Sequence, residues 1–174
     1  MIEILLSDFA DIQVEAIMRS ISSDLDPDTP QSRDLAARAG SDVTQRLQAM
    51  GDLPVGAAVI TPGGDSGAGF LIHVVLQSAE EPVTREGVRA GLKNGLRRAA
   101  EWGLESLALP PLGTGAGNLD AQDSAALMVP VLAEHLLGTE NPRKVTVAVG
   151  TEYERDVFHR ALEWSLNRLS RQGG

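Results

Sequence analysis

The chain has no cysteine, which excludes disulfides and every thiolate metal site. Aromatic residues make up only 3% of its 174 residues, so a core must be built from Ala, Val, Leu and Ile. Basic residues are scarce too, 15 against 24 acidic, for a formal charge of -9. A surface of that sign opposes the phosphate neutralisation that duplex binding requires, so no duplex nucleic acid partner is expected. No apolar run reaches the length of a membrane span, and no basic segment with a long apolar stretch opens the chain. No membrane partner is therefore expected, and the default location is the cytoplasm. What is present is a hydrophobic fraction of 43%, enough for a sizeable core in a single domain over residues 1–172. An aliphatic core of this kind suits a parallel sheet covered by helices.

The apolar runs Ile2 to Leu6 and Val14 to Ile21 predict the first two strands. A polar, turn-forming stretch with Asp24, Asp26 and Asp28 follows. Thr29 before Pro30 is a helix start, since the hydroxyl caps free N–H groups and proline is tolerated at the first helical position. That helix should fade at Gly40, and Ser41-Asp42 should cap a second one reaching about Met50. Ala57 to Thr61 and Phe70 to Leu76 are strand-like, and Thr84 caps a long helix with Val88, Leu92, Leu96 and Ala99 on its buried face. Ser106 to Leu109 predicts a short strand. Asp120 caps a helix that Pro130 should kink, Lys144 to Val149 is a strand, and Tyr153 to about Arg168 a last helix. On that helix Val157, Ala161, Leu162, Leu166 and Leu169 are expected to face inward. Strands alternating with helices predict a three-layer α/β/α domain with a mixed, mostly parallel sheet.

The clearest functional signal is Leu112-Gly113-Thr114-Gly115-Ala116-Gly117, between a strand and a helix. Glycine permits positive φ and removes the Cβ that keeps backbone N–H groups from a ligand. A helix beginning just beyond adds unpaired N–H groups and the positive end of its dipole. Together they describe a phosphate cradle without a lysine. The spacing fits neither a P-loop nor a dinucleotide fingerprint.

Pro110-Pro111-Leu112-Gly113-Thr114-Gly115 resembles the "PxLGTG" segment of macro domains, the ADP-ribose-binding α/β/α modules. Asp8-Phe9 is similar to that family's Asp-Ile pair, Glu15 to Met18 to the start of its "DAIVNAAN" strand, Val55 to Thr61 to its "vGeav.T" segment, and Leu71 to Val75 to its "IHvv" strand. The resemblance implies that Asp8 and Phe9 address the base and that Gly113, Thr114, Gly115, Ala116 and Gly117 hold phosphate. It also implies that Ser22 stands where an asparagine contacts the distal ribose. Arg19 replaces the other asparagine, and Asp28 to Leu35 replaces a glycine-rich loop without a glycine. Ser32 falls near the position of an aspartate that hydrolases of the family often carry. The aromatic residue that often stacks on adenine is missing after Gly150-Thr151, Tyr153 lying beyond it. In this frame Asp24, Asp26 and Asp28 would line the entrance and repel a diphosphate.

Other chemistry fits less well. Asp24-x-Asp26-x-Asp28 begins like a calcium loop but has Thr29 and Leu35 where glycine and glutamate belong. His73, between Ile72 and Val74, reads as a core histidine, and three histidines far apart give no metal-ligand spacing. No metal, no cofactor and no catalytic residue is assigned. Gly87, Gly91 and Gly95 on one helix face point to close packing against the sheet or another subunit, which leaves a homo-oligomer open. The leading reading is a non-catalytic module for ADP-ribose or a related nucleotide diphosphate. An ADP-ribosyl hydrolase using Asp24, Asp26 or Asp28 to activate water is the second. A macro fold without nucleotide binding, acting in protein interaction, is the third.

Overall fold

The computed structural model describes residues 1–115 and 119–173. The strands are β1 (Ile2–Leu6), β2 (Ala16–Ser22), β3 (Ala58–Pro62), β4 (Phe70–Gln77), β5 (Ser106–Leu109) and β6 (Lys144–Val149). The helices are α1 (Pro30–Ala39), α2 (Ser41–Gln48), α3 (Arg85–Glu101), α4 (Ala121–Leu137) and α5 (Glu152–Gln172), with a 3-10 turn at Phe9–Asp11. The strands form one six-stranded sheet in the order β1-β6-β5-β2-β4-β3. Every pairing is parallel except β3 with β4. This is the mixed, mostly parallel sheet that the alternation of strands and helices predicts.

The central strands are buried on both faces and read as unbroken apolar runs. One face packs Met18, Leu107, Val145 and Val147 against Val88 and Leu92 of α3, Met128 and Leu132 of α4, and Phe158 of α5. The other packs Ile17, Leu71, Ala108 and Ala148 against Leu35 and Ala39 of α1 and Val43 of α2. The glycine face of α3 lies on the sheet: a Cβ at Gly91 would stand 3.1 Å from Leu76 Cδ2, and one at Gly95 would stand 2.5 Å from Met18 Cε. Packing against the sheet accounts for these glycines.

Thr29, Thr84 and Asp120 cap their helices through Ser32, Gly87 and Asp123 N–H groups. The cap of α2 differs from expectation: Gly40, with φ at 100°, occupies it without a side-chain hydrogen bond, and Ser41 and Asp42 already lie within the helix. The left-handed backbone at Gly40 turns the chain between two adjoining helices, a geometry that serine and aspartate disfavour. The second strand starts two residues later than Val14, and α4 continues through Pro130 to Leu137. Leu166 is 54% exposed rather than inward. Helix α5 is an outer helix, and its buried side runs through Val157, Phe158 and Ser165. No helix of the described residues is long and apolar enough to cross a membrane.

Candidate functional site

The glycine loop leaves β5 at its carboxyl end, where parallel α/β sheets place ligands. Gly113 and Gly115 both have positive φ, 84° and 76°, and their roles differ. Gly113 is buried, and a Cβ there would stand 2.6 Å from Leu119 Cδ1 and 3.0 Å from Val88 Cγ2. It permits the loop to lie against α3. Gly115 is exposed, with Thr29 Cγ2 3.7 Å from its imagined Cβ. The Thr114 hydroxyl donates to the Pro111 carbonyl at 3.3 Å. The preceding turn is tied to α4 by Ser124 Oγ, which donates to the Leu112 carbonyl at 2.8 Å. Ala116 and Gly117 lie outside the described residues.

Thr114 and Gly115 border a cleft of about 400 Å³ whose other walls include Ser20, Thr29, Pro30, Gln31, Asp120, Ala121 and Glu154. Both α1 and α4 thus begin at this cleft. Their threonine and aspartate caps satisfy one N–H each, while the first-turn N–H groups of Gln31 and Ala121 have no intrahelical acceptor. The positive ends of two helix dipoles converge there. Among the described residues no lysine or arginine lines the cleft, and Asp120 and Glu154 contribute carboxylates.

A second cleft of about 440 Å³ carries Asp8, Phe9, Gln31, Asp34, Leu35 and Arg38, with Leu6, Val149 and Gly150. Gln31 lines both. Phe9 is buried, and the Asp8 carboxylate caps the 3-10 turn through Ala10 N–H at 3.3 Å while still facing the cleft. Residues 31, 34, 35 and 38 recur at i, i+3, i+4 and i+7, so a single face of α1 forms this wall. Sequence reasoning missed Gln31, Asp34 and Arg38. Their helical spacing was legible, but nothing in the sequence says that the face looks into a cleft.

Ser22 lines neither cleft. Its hydroxyl donates to Asp24 Oδ1 and to the Asp26 carbonyl. The serine that reaches the glycine-loop cleft is Ser20, whose hydroxyl donates to Asp28 Oδ1 at 2.6 Å. Asp24, Asp26 and Asp28 are not among the residues lining the two clefts either. Leu25, with φ at 73°, is buried with Ile21, Leu47 and Val75, which turns Asp24 and Asp26 outward. Asp28 is half-buried, and desolvation raises its carboxyl pKa above the usual range against the pull of Ser20 and Arg19. Tyr153 is exposed and lines neither cleft.

Arg19 is buried under α1. Its Nε donates to His73 Nδ1 at 2.8 Å, and its Nη1 to the Ser32 carbonyl at 3.2 Å and hydroxyl at 3.1 Å. Desolvation lowers its pKa to about 10, so it remains a cation at neutral pH. His73 is fully buried, with Nε2 2.8 Å from Thr61 Oγ1. Burial, then the Arg19 charge, hold its pKa well below the ordinary value. His73 is a core residue, and Arg19 fastens α1 to the sheet and lines neither cleft.

A mixed sheet with helices on both faces and a glycine loop opening at the strand carboxyl ends is the arrangement of a macro domain. The macro domain family model matches residues 24–128, and the chain belongs to that family. An uncharacterized protein of Mycobacterium tuberculosis is 27% identical over 93% of this chain. The chain spans 45% of that protein's length. The O-acetyl-ADP-ribose deacetylase of Enterobacter cloacae is 30% identical, over 66% of this chain and 65% of its own. Among solved structures, the Oceanobacillus iheyensis macrodomain with ADP superposes with a TM-score of 0.83 at 19% identity, over 96% of this chain and 92% of that one.

Proposed function

We propose that the chain is a binding module for ADP-ribose or a related nucleotide diphosphate. The observation that carries this is the meeting, at one cleft, of the Thr114-Gly115 loop with the first turns of α1 and α4. Backbone N–H groups and two helix dipoles there offer a seat for phosphate without a cationic side chain. The adjoining cleft, reached past Gln31, offers Asp8 and Phe9 to the base. The similarity to a deacetylase of O-acetyl-ADP-ribose and to a macrodomain solved with ADP supports the same ligand class.

A native-state ligand at a hundredfold excess over Kd stabilises by about 2.7 kcal/mol, which for a domain of this size raises Tm by about 5–10 °C. Saturating ADP-ribose should produce that shift. Gly115→Val should remove most of it, because a β-branched residue resists positive φ and narrows the cleft. The variant's own Tm without ligand is measured beside it. A series reaching millimolar ADP-ribose with no shift in the unaltered protein overturns the proposal. An assay on ADP-ribosylated protein completes the test: turnover would replace the binding module by a hydrolase, with Ser20 and Asp28 the first residues to examine.

A further inference from the structure

Arg38 is the anomaly of the second cleft. Its Nε is buried without a hydrogen-bond partner, and among the described residues neither its guanidinium nor the Asp34 carboxylate one turn earlier has an ion-pair partner within 4.0 Å. A buried N–H donor left unsatisfied is costly, and the Arg38 side chain that carries it lines a cleft with room for an acceptor. The cleft also fixes what kind of acceptor. Among the described residues two carboxylates, Asp8 and Asp34, share it with the Arg38 guanidinium. That balance disfavours a second phosphate and suits a neutral group with donors on one edge and acceptors on another. The buried side chains of Phe9, Leu35 and Ala148 add an apolar surface. A purine has these properties: ring nitrogens that accept, an exocyclic amine that donates to carboxylate, and a face for apolar contact or for a guanidinium.

Resting on the reading above, we infer that Arg38 is a specificity-determining residue that holds the purine of the ligand. It donates from its guanidinium to the base, while Asp8 or Asp34 accepts from the exocyclic amine. Arg38 thus takes the place of an aromatic stacking partner, since Tyr153 stands outside the cleft.

The test titrates the unaltered protein, Arg38→Ala and Arg38→Lys with ADP-ribose, with adenosine and with ribose 5-phosphate, following heat of binding and Tm. A charged hydrogen bond of the usual strength makes the expected loss of ADP-ribose affinity about tenfold or more in Arg38→Ala. Lysine, lacking the planar fork, should recover little of it. Adenosine should lose in parallel, and ribose 5-phosphate, which has no base, should be unaffected. Full ADP-ribose affinity in Arg38→Ala overturns the inference and leaves the binding module intact. No ADP-ribose binding by the unaltered protein overturns the binding module, and the inference with it unless adenosine still binds and depends on Arg38. Tighter binding of ADP-ribose bearing an added 2′-phosphate would overturn the base assignment by showing that Arg38 serves an anion. Equal loss of Tm without ligand in both variants would mark a structural contribution, which the ribose 5-phosphate control separates from base contact.

Discussion

Arg19 Nε donates to His73 Nδ1 across 2.8 Å, placing a buried cation against a buried imidazole. The acceptor role of Nδ1 puts the imidazole proton on Nε2, where Thr61 Oγ1 lies at 2.8 Å. A second proton on the ring would abolish that acceptor and set two positive charges side by side.

A pH dependence follows. His73 is held neutral in the fold, its pKa well below 6.5, first by desolvation and then by Arg19. Below pH about 6.5 the unfolded chain binds a proton there that the folded protein refuses, so stability falls as pH falls. The slope from this one residue approaches about 1.4 kcal/mol per pH unit. Melting curves from pH 7 to pH 5 should show a steeper loss in the unaltered protein than in His73→Gln. Parallel curves would show that His73 titrates in both states alike.

Gly113 and Gly115 should separate by substitution. Gly113→Ala combines left-handed strain with a clash against Leu119 and Val88, and should cost about 2–4 kcal/mol. Gly115→Ala meets only the backbone strain, about 1 kcal/mol. Urea unfolding midpoints measure both. Equal losses would contradict the packing of Gly113 beneath α3.

The carboxylates divide by where they face. Glu154 lines the glycine-loop cleft, whereas Asp24 and Asp26 point outward. Glu154→Gln should tighten ADP-ribose binding by about two- to fivefold at low ionic strength, with the gain shrinking as salt is added. Asp24→Asn with Asp26→Asn should leave the affinity unchanged at physiological salt. Calorimetric titration at two salt concentrations decides, and a larger effect from the aspartate pair would reverse the assignment.

Much of the architecture was legible because its signals are local. Threonine before proline, aliphatic runs and 3.6-residue periodicity report the backbone's own preferences, so Thr29, Thr84 and Asp120 could be read as caps before any packing was known. The carboxyl-end position of the glycine loop followed from the order of strand, loop and helix. The resemblance alone could not say which way the Ser22 side chain turns. Beyond Ile21 the register between β2 and β4 shifts, and Ser22 turns to the acidic loop.

The sequence by itself determined the fold class, the family and the need for glycine at 113 and 115. It carried no information on which polar residues meet across space. Leu25 is buried against Ile21, Leu47 and Val75, and that long-range contact alone turns Asp24 and Asp26 away from the cleft. Arg19, which the resemblance sets in place of an asparagine, is drawn under α1 because His73 and Ser32 offer acceptors there. Arg38 became a candidate only when the face of α1 carrying it was seen opposite Asp8 and Phe9. Hydrophobic burial sets where each element lies, and the side chains left facing a cleft are decided by that placement, which no local pattern encodes.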